Sequence, residues 1–315
     1  MKSFIFTLIF VLITSPSGFS RDTNNDDACA RISTGYEQSN RDPEFSANYS
    51  DVKACFEAFP YDREIAENTI ETIKKTLQGF FVYLSQAKEE PKQGYSFRSV
   101  DLIKELDSLL LKNYTSEFQF MLNVNNLIAE LKDPHLRFIP LCYQKFIYSQ
   151  QLSLYSVINK EGVQIIKIFD DEIDSNNVDC EVTHIDGRPS MEVIKEFAEE
   201  RIDVSKDSGV RFNDALASLR INEIGDRIIS ARMFTLRNVL PEKSSIEYSL
   251  LCANDINTTF TREWKIGSVY YDRFNTTDDF RNAFCLKNEI IDESVNVSKM
   301  FEPKIYNKPM VECEL

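Results

Sequence analysis

From Asp62 onward the apolar positions Ile65, Ile70, Ile73, Leu77, Phe80, Phe81 and Leu84 recur at helical spacing. That period predicts a long amphipathic helix, N-capped by Asp62, that stops before Pro91. A second helix is expected from Ser99, burying Leu102, Ile103, Leu106, Leu109 and Leu110. A third starts at Ser116, where Ser116 and Gln119 have capping-box spacing and Phe118, Met121, Leu122, Leu127 and Leu131 follow. These stripes read as core-facing surfaces rather than ligand grooves. Ahead of them, residues 21–50 are polar and rich in Asn, Asp and Ser, which fits a solvated leader held, if at all, by Cys29.

After Pro134 the period switches to two. Leu136 to Leu141 reads as a short strand leading into Cys142 and Tyr143, and Leu152–Ile158 and Val163–Phe169 read as two more, joined by a turn at Glu161-Gly162. An acidic loop spans Asp170 to Asp179. A strand from Cys180, a tight Asp186-Gly187 turn and a helix from Ser190 through Val193, Ile194 and Phe197 follow. Further strands are expected at Ile246–Cys252 and Thr258–Ile266, and the segment after Gly267 shows no clear period and reads as irregular. The fold class is therefore α+β: a mainly helical domain over 21–150, a β-rich domain over 151–266 and a tail over 267–315.

Composition narrows the chemistry. An apolar share of 43% is enough for a sizeable core. A formal net charge of −14 opposes nucleic-acid and anionic-membrane partners. The nine glycines include no G-x-G-x-x-G, P-loop or G-x-S-x-G arrangement, so dinucleotide, nucleotide and nucleophile-elbow enzymes lack their loops. Two histidines, His135 and His184, and seven cysteines without a C-x-x-C pair offer no ordinary zinc spacing, so no metal or cofactor is expected.

Lys2, the apolar run Phe4–Ile13 and the small residues Gly18 and Ser20 have the layout of a secretory signal peptide over residues 1–20, cut after Ser20. The run is shorter than the ~20 residues needed to span a bilayer, so no stable membrane anchor is expected. A secreted chain meets an oxidising lumen, and Cys29, Cys55, Cys142, Cys180, Cys252 and Cys285 are disulfide candidates, with Cys313 making the count odd and the pairing open. Asn48, Asn113, Asn257, Asn275 and Asn296 head N-x-[ST] sequons and are candidate glycosylation sites.

The sharpest chemical candidate is His135, in Lys132-Asp-Pro-His-Leu-Arg-Phe, where a helix ends, proline blocks its continuation and a histidine opens the next segment. A histidine there can serve as a general base in a cleft, and it can equally cap the carbonyls of the preceding helix. The stretch from Ala54-Cys-Phe-Glu-Ala-Phe-Pro through Phe97-Arg-Ser-Val-Asp-Leu to that motif and Cys142-Tyr resembles secreted fungal relatives of chlamydial protease-like activity factor, in the tail-specific serine peptidase family. The resemblance implies that Asp133-Pro-His135 corresponds to the segment that carries the catalytic histidine. Val182-Thr-His-Ile-Asp-Gly-Arg-Pro-Ser is similar to the strand, turn and helix of that family's PDZ-like domain, which implies an extended peptide as partner. His184 falls inside the strand and reads as structural.

The departures weigh more. In the family the serine-bearing core follows the PDZ-like unit, yet the segment from Gly267 to Leu315 has that one glycine and no Asp-Leu-x-x-Asn-x-Gly-Gly-like stretch. A base without a serine and without oxyanion donors lacks the nucleophilic and the electrostatic terms of acyl transfer. The expected function is thus non-catalytic: binding peptide segments or docking to a full-length peptidase relative, with His135 an orphan base. The alternative is an endopeptidase whose core is missing from this chain or supplied by another. Oligomeric state is not legible in the sequence. Export is checked by intact mass: secreted material should begin at Arg21 and lose mass on glycan removal, whereas retained Met1 without glycan contradicts the compartment reading.

Overall fold

The computed structural model describes residues 27–286 apart from 94, 96, 222–226 and 254–255. The signal-peptide segment, Asn296 and Cys313 lie outside the described residues. The architecture is α+β, with five helices leading into a region dominated by antiparallel sheet.

The polar leader is a correction. Residues Ala28–Gln38 form α1, whose N-cap Asp27 accepts from Ala30 N at 3.0 Å and whose Cys29 and Ile32 are buried. Its apolar face is short but covalently anchored, because Cys29 is bonded to Cys55 of α2, Tyr49–Glu57. The helix expected from Asp62 is α3, Arg63–Phe80, and Asp62 Oδ1 accepts from Ile65 N at 3.0 Å. Its buried stripe is Ala66, Ile70, Ile73 and Leu77, which continues to Phe81 one turn on. Phe80 falls off that stripe and is 79% exposed, contrary to expectation. The next helix, α4, covers Leu102–Leu109 behind an Asp101 cap rather than Ser99. In α5, Glu117–Ala129, Ser116 Oγ accepts from Gln119 N at 3.3 Å, while Gln119 Oε1 reaches back to Thr115 N.

Leu136 to Leu141 is also corrected. Burial alternates as expected, with Leu136 and Phe138 inside and Arg137 outside, yet no strand pairs with it. Pro140 has no N–H to give a ladder, and the chain turns at once into a 3-10 turn at Leu141–Tyr143. The first strand is β1, Ile147–Ser149. The hairpin β2, Leu152–Ile158, and β3, Gln164–Asp171, turns through Gly162 at φ +79°, a left-handed value suited to glycine. β4, Glu181–Ile185, turns back on β5, Arg188–Pro189, through Asp186 and Gly187 at φ 49° and 74°, the geometry of a primed hairpin turn. Helix α6 then spans Ser190–Arg201 and α7 Ser208–Ala215. After β6, Ala217–Ile221, β7, Arg227–Ala231, and β8, Leu236–Arg237, come β9, Ser245–Cys252, β10, Ile256–Glu263, and β11, Lys265–Gly267.

The main sheet runs β10-β9-β4-β3-β2 with β5 on β4; a small sheet runs β11-β1-β8, and β6 pairs β7. Cys180–Cys252 staples the start of β4 to the end of β9. The expected irregular tail is a further correction over its described part: Thr277–Phe284 forms α8, with Phe280 and Phe284 buried against the N-terminal helices. Only two apolar positions carry that packing, too few to show as a sequence period. Cys142–Cys285 ties its end to the 3-10 turn.

Within the expected acidic loop, Asp171 is buried and receives two hydrogen bonds from Arg262, at 3.0 and 2.8 Å, with a third from Asn177 at 2.9 Å. Burial pushes its carboxyl up, but the bonds from Asn177, Arg262 and the backbone N–H groups of Asp174 and Ile173 outweigh that and hold it below its ordinary range. Asp171→Ala strands the Arg262 charge and should cost about 3–5 kcal/mol, read as a fall in urea midpoint. The carboxyl's folded value lies below the unfolded ~3.9, so the stabilisation is present above that pH and lost as pH falls through the folded value. The native protein's margin over the variant should therefore narrow only below about pH 4.

Candidate functional site

The C-terminal end of α5, the extended segment 136–139, helix α6 and residues 233–242 around β8 enclose a cleft of about 190 Å³. Each wall has a local cause. Lys132, at φ 50°, ends the α5 turn, and its buried ammonium donates to the carbonyl of Glu199 in α6 at 2.6 Å, fixing the distance between the two helices. Burial lowers the Lys132 pKa, with Glu130 opposing. β8 is held by pairing with β1, Tyr148 opposite Arg237 and Ser149 opposite Leu236.

The floor is apolar, formed by Leu136, Phe138, Phe197, Leu236, Val239 and Leu240. Beside the exposed Glu200, five charged side chains of the lining are paired with one another: Arg201 with Glu242 at 2.6 Å, Arg237 with Glu242 at 3.2 Å and Arg137 with Asp203 at 4.0 Å. Arg237 is the most enclosed of these arginines. Its guanidinium lies 4.5 Å from the Phe197 ring centre, 4.9 Å from Trp264 and 5.4 Å from Phe234, and its Nε donates to the carbonyl of Phe234 at 3.1 Å. Burial pushes the Arg237 pKa down and Glu242 opposes it. The volume is below the ~300–1,000 Å³ typical of small-molecule sites. Among the described residues no group of three or more His, Cys, Asp or Glu is placed to hold a metal ion, and no helix is long and apolar enough to cross a membrane.

His135 sits on the loop beside the cleft rather than in its lining, and its side chain is 71% exposed. Its Nδ1 lies 3.0 Å from Asp133 Oδ1, which also accepts the His135 backbone N–H at 2.9 Å. Asp133 is thus the only side chain hydrogen-bonded to His135 among the described residues; no serine, threonine or cysteine stands against Nε2. The side chain of His184, exposed on β4, meets the hydroxyl of its neighbour Thr183 at 3.1 Å. Asn48, Asn113, Asn257 and Asn275 are all exposed. Six of the candidate cysteines form the three bridges described above. Sequence reasoning missed Arg201, Arg237 and Glu242. For Arg237 the sequence offers Phe234 three residues earlier, which gains meaning once β1 and β8 pair; Arg201 and Glu242 carry no such signal.

No protein-family model matches the chain, and no curated protein does. Among solved structures it is similar to mature CPAF at 14% identity and TM-score 0.42, to mature CPAF complexed with lactacystin at 15% and 0.42, and to a point mutant of CPAF at 13% and 0.37. Each likeness covers 64% of this chain and 34% of that one, so the chain spans about a third of the length of those structures.

The exposure of His135 sets its energetic weight. His135→Ala should move the unfolding free energy by less than about 0.5 kcal/mol. Lys132→Ala, which leaves the Glu199 carbonyl without its donor, should cost about 1–3 kcal/mol. Urea midpoints of the two variants, measured together, check that order.

Proposed function

We propose that this protein is a secreted, non-catalytic relative of the tail-specific serine peptidases that binds an extended peptide segment, on a free peptide or on a full-length peptidase. The observation that carries the reading is the cleft between α5 and α6, with its apolar floor and rim of paired charges. Two further features support it: an exposed His135 that faces no nucleophile among the described residues, and four exposed sequon asparagines that suit a glycosylated extracellular chain. In this reading residues 21–150 are a helical unit and 151–266 a PDZ-like unit, so that the cleft is lined by residues of both.

The pairing of His135 with Asp133 favours a second reading, in which the chain keeps an oriented base for a serine core supplied elsewhere. The first reading expects the isolated chain to leave casein and fluorogenic peptides intact, because members of a nucleophile-base unit act together and their loss costs several powers of ten. It also expects selected members of a peptide array to bind with Kd near the micromolar range, about −8 kcal/mol. Turnover that appears only when a full-length peptidase relative lacking its own histidine base is added, and that vanishes in His135→Ala, would establish the second reading, and array binding no better than that of an unrelated acidic protein would sink the first.

A further inference from the structure

We propose that the cleft is a carboxylate-recognition site in which Arg201 and Arg237 form a clamp, and that Glu242 fills this clamp as an internal stand-in for the acidic side chain of a bound segment. The inference deepens the peptide-binding reading and rests on it.

The geometry separates a rigid cationic half from an exposed anionic half. Arg237 is seated by three aromatic rings and by the Phe234 carbonyl before any anion arrives, and its side chain is only 13% exposed. Arg201 is the last residue of α6, on an element packed against the sheet. Glu242, by contrast, is 56% exposed on the loop after β8. Its two oxygens are divided, Oε1 to Arg201 at 2.6 Å and Oε2 to Arg237 at 3.2 Å. The second contact is longer than the ~2.7–2.9 Å of a good charge-assisted bond. A guanidinium has five N–H donors, and Arg237 bonds through Nε and Nη1, leaving Nη2 without an oxygen among the described residues. A guanidinium seated by rings, with one nitrogen not bonded to a described oxygen and its carboxylate partner at 3.2 Å, has room for an anion better placed than Glu242.

The two arginines that share Glu242 select the occupant: a carboxylate that takes the place of Glu242, next to a bulky apolar side chain resting on Phe138 and Leu240. The chain's net charge of −14 repels acidic segments at long range, so uptake of one would be the work of this local clamp and not of general attraction. A carboxylate can come from an Asp or Glu side chain or from a chain terminus; Glu242 itself favours the side chain.

The test uses the full-length chain with Glu242→Ala, which vacates the clamp, and fluorescence anisotropy with three probes. These are the acetylated, amidated peptide Ala-Leu-Glu-Phe-Ala, its Gln analogue, and that Gln analogue with a free C-terminal carboxylate. The Glu peptide should bind the variant at least about tenfold tighter than the Gln peptide, and tighter than it binds the native protein. Adding Arg201→Gln should erase the preference. A preference for the free-acid probe instead would keep the clamp and assign it to chain termini. Equal binding of all three probes overturns the clamp while leaving the peptide-binding reading intact. Binding of none of them to the vacated clamp also overturns it, and the array then judges the broader reading separately.

Discussion

The side chain of Phe280, near the end of the described chain, holds the beginning and the end of the fold together. It lies within 6.3 Å, ring centre to ring centre, of Phe56, Phe59, Phe146, Phe274 and Phe284. Burial of one phenylalanine contributes about 1.5–3 kcal/mol and each well-placed ring pair about 0.5–1.5 more. That packing needs α8 docked, and α8 is docked by Asp27. This one carboxylate accepts from Ala30 N at the start of α1 and from Thr277 N and Oγ1 at the start of α8, so it serves two helix N-termini at once. Cys142–Cys285 then closes a loop of 143 residues around the same cluster, which limits what the unfolded chain can explore. With the cluster assembled, Phe146 leads β1 into register between β11 and β8, and that register places Arg237 over the cleft.

Charges inside this frame divide by what surrounds them. Asp171 and Arg262 face each other with all-round hydrogen bonding and are locked. Arg211, fully buried, is paired with Glu199 and donates to the carbonyl of Ser205, while the backbone of Glu199 receives Lys132, so one residue of α6 gathers two cations from opposite directions. Arg237 differs because its cage is aromatic: rings stabilise the cation through their faces without neutralising it. Its carboxylate partner comes from solvent's side. The first two clusters lie inside the fold away from the cleft, whereas the third lines it.

What was legible in the sequence was local. Asp62 and Ser116 mark helix starts because their side chains meet N–H groups only three residues away, and Asp186-Gly187 marks a turn because two adjacent left-handed residues suffice. What was not legible depends on partners far along the chain. Helix α1 has a modest apolar face and exists through Cys55 and Thr277, 26 and 250 residues away respectively. Residues 136–141 carry a strand's alternation without a strand's neighbour. Phe80 and Phe81 are indistinguishable by composition, and only the exit of the chain from α3 decides that Phe81 packs and Phe80 does not.

The same distinction explains why the most conspicuous chemical residue and the candidate site are different places. His135 stood out because histidine is rare in this chain and its neighbours Asp133 and Pro134 form a compact motif. The structure gives that motif a self-contained geometry: Asp133 bonds both the backbone and the ring of His135, which would hold the loop in place with no substrate or nucleophile present. Arg237 carries no such motif, yet its surroundings leave a donor unused. A side chain exposed to water on a loop, like His135, has little around it to select a ligand, whereas one seated firmly by rings and a carbonyl in a cleft wall, like Arg237, is prepared for one.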